Sequence, residues 1–143
     1  MGKRSTARRL AMQALYQSDV TDVDIETAIN NIAENEKLLV ETIEFARHLA
    51  TSTWEEKGTI DKTISKLAID WPLERIGKVD RNILRLALEE LRLKETPVSV
   101  VINEAVEMAK KYSGEEAAKF INGILGTYVR EQEREDQPRR SGS

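Results

Sequence analysis

Residues 81–93 read RNILRLALEELRL. Ile83, Leu84, Ala87, Leu88 and Leu91 recur there at spacings of three and four, which puts them on one stripe of a helix turning about 100° per residue. The same period appears on both sides. Ile25, Ala28, Ile29 and Ile32 follow it, then Leu39, Ile43, Ala46 and Ala50, then Ile60, Ile64 and Leu67. Val101, Ile102, Ala105, Ala109 and Tyr112 continue it further on. No stretch of useful length alternates with period two, so strands are not expected. The fold class predicted is all-α, with about seven helices near 3–17, 24–34, 37–53, 57–68, 80–93, 99–111 and 115–130.

Punctuation supports these boundaries. Pro97 stands where one helix ends and another begins, with Thr96 or Ser99 as candidate N-caps. Ser113 followed by Glu116 reads as a capping box opening the last helix. In WPLERIGKVD, residues 71–80, Pro72 and Gly77 predict a connector or short 3₁₀ turn, with Asp80 as the cap of the next helix. Residues 131–143, EQEREDQPRRSGS, hold no apolar residue and are expected to be a disordered tail, leaving 1–130 as the single folded domain.

Composition bounds the function. A chain of 143 residues supports one ordinary domain. There is no apolar run near 18 residues and no secretory h-region, so no membrane partner is expected. With no cysteine, disulfides and thiolate zinc sites are excluded, and a cytoplasmic location is the plain reading. The one histidine, His48, lies mid-helix beside Arg47 and reads as a surface or packing residue. Glu89/Glu90 and Glu115/Glu116 are neighbours that point about 100° apart, fitting solvated faces or helix starts better than an acid/base pair. Gly123 and Gly126 lie inside a helical pattern, where close approach of another helix is the expected task. No catalytic set, metal site or cofactor is expected, and the protein reads as a non-enzyme.

Charge is unevenly distributed. The chain carries 25 acidic and 22 basic residues, yet KRSTARRLAMQALYQ, residues 3–17, has Lys3, Arg4, Arg8 and Arg9 and no acid. On a helix, Ala7, Leu10, Ala11, Ala14 and Leu15 form the core stripe. Arg9, Gln13 and Tyr16 project oppositely, with Arg8 and Met12 along one flank. Positive charge at a helix start opposes the macrodipole, and pairing with an anion would remove that cost. The aromatic neighbour Tyr16 adds an interface anchor. A second candidate surface opens the last helix: Phe120 falls to one side of the stripe Ala117, Ile121, Ile124, Leu125 and Tyr128. Core-edge packing is its plain reading, but with Tyr112 it would make a stacking platform for unpaired bases.

Four stretches resemble the NusB family of bacterial transcription antitermination factors: ARRLAMQALYQ (7–17), LERIGKVDRNILRLALEEL (73–91), TPVSVVINEAVEMAKKYSGEEAAKF (96–120) and FINGILG (120–126). The resemblance spans Lys3 to about Arg130. It implies two small packed helical subdomains and a non-enzymatic, RNA-binding role. It implies recognition of the single-stranded boxA element of nascent ribosomal RNA together with a small-subunit ribosomal protein, called NusE in this role. The pair helps assemble the antitermination complex on RNA polymerase. Carried over by position, Lys3, Arg4, Arg8, Arg9, Tyr112, Glu116, Lys119 and Phe120 are implied RNA contacts. Tyr16, Glu74 and Asp80 are implied contacts to the protein partner. Some relatives self-associate, which leaves a homodimer open. Ser5 and Thr6 interrupt the basic run, implying weaker RNA binding alone and more reliance on the partner. A helical protein-interaction adaptor without direct RNA contact is the alternative. A third possibility, a unit fused ahead of a ribosomal RNA methyltransferase, would require a Rossmann-type domain that this sequence does not contain.

Overall fold

The computed structural model describes residues 2–136. Among these are seven α-helices: α1 (Lys3–Thr21), α2 (Ile25–Glu34), α3 (Val40–Glu55), α4 (Lys57–Leu67), α5 (Lys78–Leu93), α6 (Val98–Tyr112) and α7 (Glu115–Asp136). A 3₁₀ turn, Leu73–Arg75, interrupts the connector between α4 and α5, where Pro72 and Gly77 predict it. Helices α1, α2 and α3 pack on one another as a first subdomain, and α4 to α7 form a second around α5 and α6. The two meet where α5 lies against α1 and α3.

Helix α5 is the shared wall, and its burial exceeds its stripe. Every residue from Asn82 to Leu91 is buried, because apolar neighbours cover it from both subdomains. Three ionisable groups are buried with them, and all three are bonded. Arg85 Nε and an Nη donate to the Asp61 carboxylate of α4 at 2.7 and 2.8 Å, and its other Nη reaches Asp19 of α1 at 3.0 Å. Glu89 accepts from Arg92 at 2.7 and 2.8 Å and from the Ser52 hydroxyl of α3. Glu90 accepts from Arg8 of α1 at 2.7 and 2.9 Å. The expectation that Glu89 and Glu90 lie on a solvated face is therefore corrected. They belong to the seam between the subdomains.

The α1 stripe Ala7, Leu10, Ala11, Ala14 and Leu15 is fully buried, as its spacing predicts. Burial extends to Arg8 and Met12, since α1 is covered on three sides by α2, α3 and α5. Helix α2 opens on Asp24, whose carboxylate accepts from Thr27 N at 2.7 Å. That bond holds the Asp24 carboxyl below the usual carboxylate range.

Several local expectations change. Helix α3 starts at Val40, so Leu39 is its exposed N-cap residue rather than a member of the core stripe. Gly77, not Asp80, occupies the N-cap of α5, and Asp80 lies in the first turn, where a negative charge suits the helix dipole. Pro97 is the N-cap residue of α6, which excludes Thr96 and Ser99 from that position. Ser113 closes α6 instead of capping α7. Gly114 follows at φ +129°, a backbone region that a Cβ disfavours, and its carbonyl accepts from Ala118 N at 3.1 Å. No other helix approaches Gly123 or Gly126: a Cβ at Gly123 would meet nothing within 4 Å, and one at Gly126 only the Arg130 side chain. In α7 the buried stripe includes Ala118 in place of the expected Ala117. The helix continues to Asp136, so residues 131–136 are ordered helix rather than tail. Residues 137–143 lie outside the described residues.

Candidate nucleic-acid interface

The basic start of α1 is largely engaged by acids from other elements. Lys3 Nζ pairs with Glu41 of α3 at 2.7 Å, both side chains being well exposed. Arg9 donates to both carboxylate oxygens of Glu36, in the α2–α3 connector, at 2.9 and 2.6 Å, and to Gln13 at 3.0 Å. The hydrogen bond raises the Arg9 pKa and holds the Glu36 carboxyl below its ordinary value. Lys3 does the same to Glu41. These acids offset the unfavourable placement of cations at a helix N-terminus.

Arg8 departs most from expectation. It is 2% exposed, clasped by Glu90, with Glu104 of α6 4.0 Å away. A guanidinium so enclosed does not present itself to a phosphate at the surface. Sequence pattern places Arg8 on a flank, and only the fold reveals Glu90 opposite it. Arg4 takes the outward role. Its guanidinium stacks 3.8 Å from the centroid of Phe45 on α3, an aromatic that the sequence pattern does not single out. Ser5 donates to Glu104 at 2.5 Å, tying the start of α1 to α6.

A second cluster surrounds the α6–α7 turn. Tyr112 is exposed at the end of α6, with Lys111 Nζ 5.3 Å from its ring centroid. The next residue, Ser113, lines an open groove of about 690 Å³ between the α4–α5 connector and the first turns of α7. Trp71, Arg75, Asp80, Glu116, Lys119 and Phe120 form its walls. Phe120 is half-buried and meets Trp71 edge to face, centroids 6.2 Å apart at 65°. Arg81 of α5 pins the connector by donating to the Leu73 and Ile76 carbonyls at 2.7 and 2.9 Å.

The structure thus joins Glu116, Lys119 and Phe120 with Asp80 in one groove, with Tyr112 one residue before its wall at Ser113, and leaves Arg9 with Glu36 and Gln13. Glu74 is exposed on the 3₁₀ turn next to Arg75. Tyr16, 40% exposed, sits one turn before Asp19, which bonds Asn82 and Arg85 of α5. His48 is at the surface, 3.0 Å from Glu95. Trp71, Arg75, Phe45 and Glu36 escape sequence reasoning. An aromatic directly before a proline in a connector is the one signal that could have flagged Trp71.

A small all-helical protein with basic and aromatic side chains gathered along one open groove has, by class, the make-up of a binding protein. Among the described residues no group of three or more metal-ligating side chains could hold an ion, and no helix is long and apolar enough to cross a membrane. The chain belongs to the NusB family, whose model matches residues 5–130. It is 44% identical to the transcription antitermination protein NusB of Bacillus subtilis, over 86% of this chain and 92% of that one. With the NusB of Chloroflexus aggregans it shares 38% identity, over 89% and 87%. The solution structure of Aquifex aeolicus NusB superposes with a TM-score of 0.82 at 28% identity, covering 99% and 97%. A crystal structure of the antitermination factors NusB and NusE in complex with double-stranded RNA superposes at 0.83 with 31% identity, covering 92% and 98%.

Proposed function

We propose that this protein binds the boxA element of nascent ribosomal RNA as a single strand, together with a small-subunit ribosomal protein, and so helps assemble the antitermination complex on RNA polymerase in the cytoplasm. The observation that carries the reading is the groove beside the α6–α7 turn, where the cations Arg75 and Lys119 flank the rings of Trp71 and Phe120; the exposed Arg4 on α1 and Tyr112 on α6 add further cationic and aromatic surface. Cations supply salt-sensitive phosphate contacts, and exposed aromatic rings suit unpaired bases. Arg8 serves this surface from within, holding α1 to α5. The similar solved complex of NusB and NusE with double-stranded RNA supports a protein ligand and an RNA ligand. The ribosomal protein is assigned to the side bearing Tyr16, Glu74 and Asp80. A homodimer formed through that side would compete with it.

The test is fluorescence anisotropy of labelled boxA-like and scrambled RNA, with and without the ribosomal protein. Replacing Arg4 and Arg9 by Ala should weaken boxA binding and make the plot of log K against log[salt] shallower by about 0.7 for each phosphate no longer neutralised. Equal affinity for wild type and the double variant at low salt would instead favour an adaptor that touches only protein.

A further inference from the structure

We propose that Trp71 is a stacking platform for one unpaired base of the bound RNA, seated in the groove between the α4–α5 connector and α7. The inference rests on the RNA-binding reading above and assigns it a residue outside the sequence-derived set.

Several observations meet at this position. Trp71 is 52% exposed although it is the largest apolar side chain of the connector, and Phe120 meets it only edge to face. Such a contact fixes the orientation of an indole without using both of its faces. The backbone that carries the ring is fixed as well: Trp71 N donates to Ala68 O at 3.1 Å, and Arg81 clamps the turn that follows. A platform positioned in advance loses little freedom when a base stacks on it.

Charge distinguishes a base from an apolar protein side chain as the occupant. Lys3, Arg8 and Arg9 are matched by acids of this same chain. Arg75 and Lys119, on the groove walls, enter no ion pair among the described residues. Two unmatched cations flanking an aromatic pair form the combination that tracks a single strand, phosphates on the cations and bases on the rings. Glu116 on the same walls offers an acceptor for the amino and imino hydrogens of a base edge. An apolar side chain would leave that carboxylate and those cations without partners.

The chain has two tryptophans. Trp54→Phe makes Trp71 the sole indole reporter, and anisotropy of a labelled single-stranded boxA-like RNA reports binding independently. The expected result is quenching of Trp71 emission over the RNA concentrations at which anisotropy saturates. Trp71→Ala should bind about ten-fold more weakly, and Trp71→Phe should recover most of the affinity. If RNA binds Trp71→Ala as tightly as wild type and emission is unchanged, the inference is overturned while the RNA reading stands. If emission responds only to the ribosomal protein, with RNA affinity independent of Trp71, the groove belongs to that protein and the inference is again overturned. No anisotropy change for the wild-type chain would remove the RNA reading and this inference together.

Discussion

Arg8 and Glu90 form a two-point ion pair, 2.7 and 2.9 Å, in which neither side chain is more than 4% exposed. Their separation of 82 residues makes it a bond between the first helix of one subdomain and the central helix of the other. Removing one partner strands a charge away from water. Arg8→Ala should therefore lower unfolding stability by about 3–5 kcal/mol in urea titration. Replacing both residues with apolar side chains of similar size should cost less than either single change. A decrease below about 1 kcal/mol for Arg8→Ala would mean that water reaches Glu90.

Glu36 occupies the donors of Arg9 that a phosphate would use. Glu36→Gln removes the competing charge and keeps the shape. The expected outcome in the anisotropy assay is tighter RNA binding at low salt, with the salt plot steeper by about 0.7 as Arg9 gains a phosphate. Unaltered affinity would show that Arg9 does not touch the RNA.

Asp19 gives a pH signature. Burial by itself would raise its pKa, but hydrogen bonds from Asn82 and Arg85 and the Arg85 charge outweigh burial and hold it below the ordinary value. The unfolded chain then binds the proton more readily than the folded one, so ionised Asp19 stabilises the fold above its unfolded pKa, about 3.9. That contribution disappears as pH falls through the folded value. Wild type should thus exceed Asp19→Asn in stability at pH 7, with the difference shrinking below about pH 4. A difference that stays constant down to about pH 2 would exclude the ionised carboxylate as its source.

The glycines of α7 and of its entry should respond oppositely. Gly123 is exposed and helical with open space at its Cβ, so Gly123→Ala should raise stability by about 0.5–1 kcal/mol. Gly114→Ala forces a side chain into φ +129° and should lower stability by about 1–3 kcal/mol. Thermal denaturation of both variants checks the pair.

What the sequence discloses follows from the range of the interactions. The stripes of α1 and α5 are legible because a helix repeats its core contacts every three or four residues, within a single short stretch. The 3₁₀ turn is legible from Pro72 and Gly77. Arg8 and Glu90 mislead because each finds its partner on another helix, and Glu89 because the Ser52 side of α3 covers it, and a charge looks solvated until its surroundings are known. The turn at Ser113 and Gly114 misleads because the capping-box pattern competes with a glycine one position on, and backbone geometry decides for glycine. In the candidate interface, Phe120 is visible as an off-stripe aromatic. Trp71 is not, since its meaning comes from Phe120, far away in the chain and 6.2 Å away in space.

Helix α5 sends three charged side chains to separate places: Arg85 to Asp19 and Asp61, Glu89 to Ser52, Glu90 to Arg8. Apolar surfaces alone tolerate sliding, since leucine meets leucine nearly as well one turn along. Here a shift of one turn, about 5.4 Å, would part all of these bonds at once. The helix therefore has a single permitted register, and neither subdomain can come apart without opening a pair that the other needs. The chain should unfold as one cooperative unit, with the backbone amides of α5 the last to exchange with solvent.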